Sequence, residues 1–127
     1  DYWDDALIAR LAGRILIQVE DKGRAWYLDP VTRFRHYLAS PSKAFQVMRE
    51  RGLGARHEFI AKYEIYPRSV WGRILIDVDD LGKAYYINPV DGKGYYLGTP
   101  EQAINVMRQV GLGISNKDLR KIPIEIR

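Results

Sequence analysis

Apolar β-branched residues occupy every second position from Ile15 to Val19, a spacing that is typical of a β-strand with one buried face. The segment Asp21-Lys22-Gly23 follows, in which Asp favours a turn and Gly supplies the positive φ that closes it. Two more strands are predicted near 24–29 and 34–38, with a second turn between them. The pattern therefore predicts three consecutive strands joined by tight turns.

After the third strand the apolar spacing changes from two residues to three and four, which predicts an amphipathic helix beginning at Pro41. Ser40 is placed to cap this helix, and Pro41 suits its first position. We expect Gly52 to end the helix in the left-handed conformation. Shorter helices are predicted at about 4–11, 57–62 and 116–121, the last capped by Ser115.

The whole pattern occurs twice. Gly13-Arg14-Ile15-Leu16-Ile17 recurs as Gly72-Arg73-Ile74-Leu75-Ile76, an offset of 72 − 13 = 59 residues. The offset continues without a gap, so that Thr99 and Pro100 begin the second long helix and Gly111 follows it. Self-similarity at a fixed period indicates a tandem repeat. Each copy is expected to form a β-β-β-α unit.

The second turn differs between the two copies. The later copy reads Asn88-Pro89-Val90-Asp91-Gly92, in which Gly suits the left-handed position of the turn. The earlier copy has Arg33 where the later copy has this Gly. Either Arg33 adopts the left-handed conformation at a cost of about 1 kcal/mol, or the first turn has another shape.

We therefore predict the α+β class, with two tandem β-β-β-α repeats, each an antiparallel three-stranded sheet plus a helix. A unit of about 45 residues buries too little apolar surface to be stable alone. The two units, divided as 1–58 and 59–127, are expected to form a pseudo-symmetric pair with a shared core. Edge-to-edge and face-to-face arrangements of their sheets both remain open.

The amino-acid composition excludes or disfavours several classes of protein. The chain has 127 residues, 46% of them apolar, and no cysteine, which excludes disulfides and cysteine-ligated zinc. The net charge of +4 is spread along the chain rather than clustered, so nucleic-acid binding is disfavoured. No stretch approaches the roughly 20 apolar residues of a membrane span. Because it begins at Asp1 without Met, we expect a piece of a longer protein.

Candidate catalytic chemistry is sparse. His36 and His57 do not recur in the repeat, and both are interpreted as satisfied or solvated residues. Asp77, Asp79 and Asp80 lack the further ligands and closing Glu of a calcium loop, so they are interpreted as strand-end and turn residues. No phosphate-binding loop or nucleophile–base set is recognisable. We predict no catalytic residues, no metal site and no cofactor.

Aromatic residues cluster on the second and third strands of each unit. Neighbours along a strand point to opposite faces, so one of each pair is expected in the core and the other outside. The outward members either pair across the strands or form an exposed platform for a ligand. The predicted contact residues are Trp26, Arg35, Tyr37, Tyr85, Lys93, Tyr95 and Tyr96.

The motif Ala84-Tyr85-Tyr86-Ile87-Asn88-Pro89-Val90-Asp91-Gly92-Lys93, with the flanking Gly72–Val78 and Gly111–Leu119, resembles a repeat of bacterial envelope and surface proteins. That repeat occurs in tandem and beside separate enzymatic or anchoring domains. The resemblance covers almost all of both units and implies location and architecture, but no mechanism. The aromatic hairpin is also similar to choline- and glucan-binding repeats and to the WW domain, although the long helix that follows it departs from both.

We therefore expect a non-catalytic binding or spacer module of a bacterial surface or secreted protein. Its partner would be cell-wall polysaccharide or another protein, contacted through the tyrosine-rich hairpins. Two alternatives are kept open at this stage, namely a fragment of a cell-wall hydrolase and a weakly basic nucleic-acid-binding domain.

Overall fold

The structure is a computed structural model that describes residues 3–125 and has mixed α+β architecture. The strands are β1 (Ile15–Gln18), β2 (Arg24–Leu28), β3 (Arg35–Leu38), β4 (Leu53–Ala55), β5 (Ile74–Asp77), β6 (Lys83–Ile87), β7 (Gly94–Tyr96) and β8 (Leu112–Ile114). The helices are α1 (Asp5–Leu11), α2 (Pro41–Glu50), α3 (His57–Lys62), α4 (Pro100–Val110) and α5 (Asn116–Leu119). A 3-10 turn, Arg68–Val70, lies between α3 and β5.

The strands form two four-stranded sheets, so the expectation of three strands in each sheet is wrong. The first sheet has the order β3-β2-β1-β8 and the second the order β4-β5-β6-β7. Strands β1–β3 and β5–β7 pair antiparallel as consecutive hairpins. The fourth strand of each sheet, β8 or β4, pairs in parallel with the first strand of the hairpins in the other half of the chain. Each long helix is therefore followed by a strand that joins the other sheet.

The glycines that follow the long helices allow this crossing. The prediction of left-handed helix caps is wrong, because Gly111 has φ −65° and Gly52 is not among the residues with positive φ. A Cβ at Gly52 would lie 2.6 Å from Cγ1 of Ile76, and one at Gly111 would lie 2.7 Å from Cγ1 of Ile17. Glycine is needed here because the chain passes close over a neighbouring strand.

The turns follow the predicted chemistry. Arg33 has φ 65° and Gly92 has φ 72°, so both copies of the second turn place a residue in the left-handed region. The first alternative for Arg33 is therefore confirmed. In the preceding turns, Lys22 and Leu81 each have φ 59°, a strained conformation that the sequence did not predict.

The helix starts also follow the predicted caps. The Ser40 hydroxyl accepts a hydrogen bond from the Lys43 amide at 3.1 Å, and Thr99 caps α4 in the same way at 3.2 Å from the Gln102 amide. Ser115 caps α5 as predicted, whereas Asp4, which was expected to begin the first helix, instead caps α1. Helix α5 ends at Leu119, two residues before the predicted end.

The largest hydrophobic core cluster contains residues from both sheets and from both long helices. At its centre the Tyr27 hydroxyl donates to the Gly72 carbonyl, and the Tyr86 hydroxyl donates to the Gly13 carbonyl, each at 2.6 Å. Gly13 and Gly72 touch, since a Cβ at Gly13 would lie 2.5 Å from Cα of Gly72. The hairpins β1–β3 and β5–β7 are therefore in direct contact at the starts of their first strands.

Two smaller clusters cover the outer faces of the sheets. Helices α1 and α5 cover the first sheet, with Trp26 and Leu28 beneath them. Helix α3 and the segment 63–71 cover the second sheet, with Leu75 and Ile87 beneath them. None of the helices within residues 3–125 has the length and apolar character needed to cross a bilayer.

Candidate functional site

The predicted contact residues of the first sheet form a packed cluster. Trp26 is buried, and its indole N–H donates to Oε1 of Gln18 at 2.8 Å. The ring of Tyr37 lies 4.9 Å from that of Trp26, and the Arg35 guanidinium lies 4.3 Å above the Trp26 ring. Arg35 Nε also donates to the Ile122 carbonyl at 2.9 Å. The arginine therefore covers the aromatic face that the sequence placed outside.

The predicted residues of the second sheet are more accessible. The rings of Tyr85 and Tyr96 lie 5.4 Å apart on neighbouring strands, and Tyr96 is 42% exposed. Tyr95 lies on the opposite face, where it packs against the main core and donates its hydroxyl to Asp91. That hydrogen bond and partial burial raise the pKa of Tyr95. Lys93 is exposed beside the second turn.

A groove of about 470 Å³ lies on the outer face of the second sheet. It brings together Tyr85 and Lys93, two of the seven predicted contact residues, and does not include the other five. We call it the tyrosine groove, and its lining consists of His57, Ile60, Ala61, Tyr63, Glu64, Tyr66, Tyr85, Lys93 and Gly94.

Two tyrosines of this groove were not predicted. Tyr63 and Tyr66 follow α3, and their rings lie 5.7 Å apart. Phe59 supports both, at 5.1 Å from Tyr63 and 6.3 Å from Tyr66. The Tyr66 hydroxyl donates to the Ile60 carbonyl at 2.6 Å, which fixes the orientation of its ring. Burial raises the pKa of both Tyr66 and Tyr85, so these phenols remain neutral at ordinary pH.

Beside the groove, a histidine and a buried aspartate form a direct pair. Nδ1 of His57 lies 2.7 Å from Oδ2 of Asp77, a carboxylate with 0% exposed side chain. Asp77 also accepts the Asp79 amide at 3.0 Å, so both of its oxygens are satisfied. The hydrogen bond and charge of Asp77 raise the pKa of His57. The pair ties the start of α3 to the end of β5.

Neighbouring charges extend this network. Oδ2 of Asp79 accepts the His57 amide at 2.9 Å and Nε of Arg56 at 2.8 Å. The Arg56 hydrogen bond and the His57 amide together lower the pKa of Asp79. Asp80 pairs with Lys83 at 3.1 Å. Thus the interpretation of these aspartates as turn residues omitted their contacts with α3.

One set of residues in the described chain could hold a metal ion. His57, Asp77 and Asp80 each offer one ligand atom, and these atoms all lie within 4.8 Å of one another. However, Asp77 already pairs with His57 and Asp80 with Lys83. Their geometry is explained by ion pairing and hydrogen bonds.

The corresponding positions of the first sheet hold uncharged residues. Gln18 lies 59 positions before Asp77, and Asn116 lies 59 positions after His57. The Gln18 amide donates to Oδ1 of Asn116 at 2.9 Å, so the same strand end is joined to the same helix start. The pairing is therefore a structural feature that both sheets have, with different chemistry in each.

Another groove, of about 490 Å³, lies between the first hairpin and α4. Tyr37 lines it together with apolar residues, including Ile17, Ile104 and Met107. A smaller pocket of about 260 Å³ includes Arg35 and Tyr37. In both, Tyr37 is the only predicted tyrosine, so neither forms a multi-tyrosine platform.

Comparisons with known proteins add no assignment, because no family model, no curated protein and no solved structure matches the chain.

Proposed function

We propose that the chain is a non-catalytic binding module of a bacterial surface or secreted protein and that it binds its ligand in the tyrosine groove. The module would consist of two tandem β-β-β-α units arranged as a pseudo-symmetric pair. The sequence offset of 59 residues and the reciprocal Tyr27–Gly72 and Tyr86–Gly13 hydrogen bonds support this arrangement.

Strand exchange explains how two small units form one module. Strand β4 follows the first long helix and joins the second sheet, whereas β8 follows the second long helix and joins the first. Each unit would thus complete the sheet of the other. Such an exchange adds backbone hydrogen bonds and buried apolar surface that a unit of this size lacks by itself.

The proposed binding function depends on the presence of the tyrosine groove. Its walls carry three tyrosines, whose rings offer apolar faces. The Tyr66 hydroxyl already donates to the Ile60 carbonyl, so the hydroxyls of Tyr63 and Tyr85 are the ones that can donate to a ligand. A spacer needs no such surface. Cell-wall glycan is a suitable first ligand, because sugar rings present both apolar faces and hydroxyl groups.

The His57–Asp77 pair does not activate a hydroxyl or thiol nucleophile. A mechanism of that kind needs the nucleophile hydrogen-bonded to the histidine. Within residues 3–125, the hydrogen bonds of His57 run to Asp77 and Asp79, and none runs to a hydroxyl.

Nuclear magnetic resonance titration with soluble peptidoglycan fragments tests the proposal. We expect amide shifts confined to the tyrosine groove, and we expect Tyr85→Ala to weaken binding by roughly ten-fold, since aromatic contacts contribute about 1 kcal/mol or more. The matched control is Tyr37→Ala on the first sheet, which should leave this binding unchanged.

Shifts that map to the groove of Tyr37, or that survive Tyr85→Ala at full strength, would contradict the assignment of this site. The absence of any shift would exclude glycan as the ligand.

A further inference from the structure

On the first sheet, the face that corresponds to the tyrosine groove carries Arg35, whose side chain packs over an aromatic ring. Its guanidinium lies 4.3 Å from the centre of the Trp26 ring and donates to the Ile122 carbonyl. A cation over an aromatic face is attracted by the negative potential of the ring. The first sheet therefore carries a cation site that is filled by the chain itself.

The strand register places the same site on the second sheet. Arg35 lies opposite Leu28 on β2, and Gly94 lies opposite Ile87 on β6. In the same way, Trp26 lies opposite Tyr37, and Tyr85 lies opposite Tyr96. Gly94 thus takes the place of Arg35, and Tyr85 takes the place of Trp26.

The second sheet keeps the aromatic face but has glycine in the place of Arg35, and its internal cation is instead Lys62, whose Nζ lies 5.5 Å from the centre of the Tyr63 ring. A Cβ at Gly94 would lie 3.2 Å from Cε1 of Tyr66, so this position leaves little room for a side chain of its own. Tyr63, Tyr66 and Tyr85 surround the groove that results, and Glu64 adds a carboxylate to its lining. Neutral aromatic rings together with a carboxylate form a binding site for an organic cation.

We propose that the tyrosine groove binds the guanidinium group of an arginine side chain that a protein partner presents, as Arg35 is bound on the first sheet. The proposal rests on the binding function proposed above and favours a protein partner over cell-wall glycan as the ligand of the groove. Lys93 at the rim, Lys62 over the Tyr63 ring, His57 when protonated and the net charge of +4 all oppose the approach of a cation, so the attraction comes from the rings and Glu64.

The experiment titrates the intact chain with N-acetyl-arginine amide, observed by nuclear magnetic resonance. The control probe is N-acetyl-citrulline amide, which has nearly the same shape as the arginine probe but no charge. We expect saturable, millimolar binding of the arginine probe at the tyrosine groove and at least five-fold weaker binding of the citrulline probe.

Variants separate the contributions of the groove. Tyr85→Trp should strengthen binding by about two-fold or more, because Trp is the best aromatic partner of a cation. Glu64→Gln should weaken binding, and Lys93→Gln should strengthen it, each by roughly two- to five-fold for an exposed charge. All three positions are at the surface or partly exposed, so the variants are expected to fold.

Equal binding of the arginine and citrulline probes, or weaker binding by Lys93→Gln, would overturn the proposal. Binding of peptidoglycan fragments in the groove without binding of the arginine probe would also overturn it, while leaving the proposed binding function in place. If both probes and the glycan bind outside the groove, both proposals fail.

Discussion

At the scale of single residues, the two sheets use the same positions for different chemistry. Gln18 and Asn116 join a strand end to a helix start through neutral amides, whereas Asp77 and His57 do so through a titratable pair. Removing one partner of a buried charged pair is costly, because the other charge stays buried without compensation. Changing both partners to the amide pair avoids that cost.

The double variant His57→Asn/Asp77→Gln therefore tests the pH dependence of this contact. Because the folded pKa of His57 is raised, its contribution to stability is full below the ordinary pKa of about 6.5 and is lost as the pH rises through the folded pKa. The native chain should lose stability between about pH 5.5 and pH 8.5 relative to the variant. Urea denaturation at both pH values measures this difference.

Groups that titrate equally in both proteins cancel in this comparison. If the difference in unfolding free energy between the native chain and the variant is the same at both pH values, the protonation of His57 does not contribute to the stability of the fold.

At the scale of elements, the segments after the long helices decide how the sheets are completed. At Gly111 the chain passes directly from the end of α4 to a position close to β1. A Cβ at this position would lie 2.6 Å from the Met107 carbonyl oxygen and 2.7 Å from the Ile17 side chain, so only glycine fits without a shift. Backbone atoms cannot move aside as the end of a side chain can. Gly113 lies two residues later, in β8, and a Cβ there would meet only Val19, an exposed side chain, at 3.0 Å.

Gly111→Ala should accordingly destabilise the protein by about 1–3 kcal/mol through overpacking. The matched control Gly113→Ala should change stability by less than about 1 kcal/mol, because the crowding is with a side chain that can turn away. Thermal and urea denaturation of the two variants provide the measurement. Equal losses would mean that the close crossing at Gly111 is not what requires glycine.

At the scale of the whole molecule, one core holds both sheets together. Tyr27 and Tyr86 lie edge to face with ring centres 6.5 Å apart, and each hydroxyl satisfies a buried carbonyl of the opposite hairpin. Burial raises the pKa of both phenols, so neither ionises under ordinary conditions. The contact is therefore insensitive to pH, unlike the His57 pair at the surface.

Tyr27→Phe and Tyr86→Phe should each lower the free energy of unfolding by about 1–2 kcal/mol, because each leaves one buried carbonyl without its donor. Both variants should reduce amide hydrogen-exchange protection in β1 and in β5 alike, as expected for one cooperative core. Loss of protection confined to a single sheet would contradict the shared core.

Local features could be predicted from the sequence because they depend on neighbouring residues. Ser40 and Thr99 cap helices through amides three residues away, and the turns at Arg33 and Gly92 depend on only a few positions. The period of apolar residues likewise placed the hairpins and the long helices. In the candidate site, Tyr85 and Lys93 were predicted because the hairpin itself positions them.

The remaining features depend on contacts between distant parts of the chain. The fourth strand of each sheet was missed because Leu53–Ala55 and Leu112–Ile114 are too short to show a period, and their pairing partners lie 75 − 53 = 22 and 112 − 16 = 96 residues away in sequence. For the same reason Gly52 and Gly111 resembled left-handed helix caps, although Gly111 does cap α4 in another conformation. Tyr63, Tyr66 and His57 join Tyr85 only once α3 packs on the second sheet. Sequence periodicity therefore determined the hairpins and helices, whereas the crossing strands and the groove were decided by tertiary packing, because packing brings together residues that no local pattern relates.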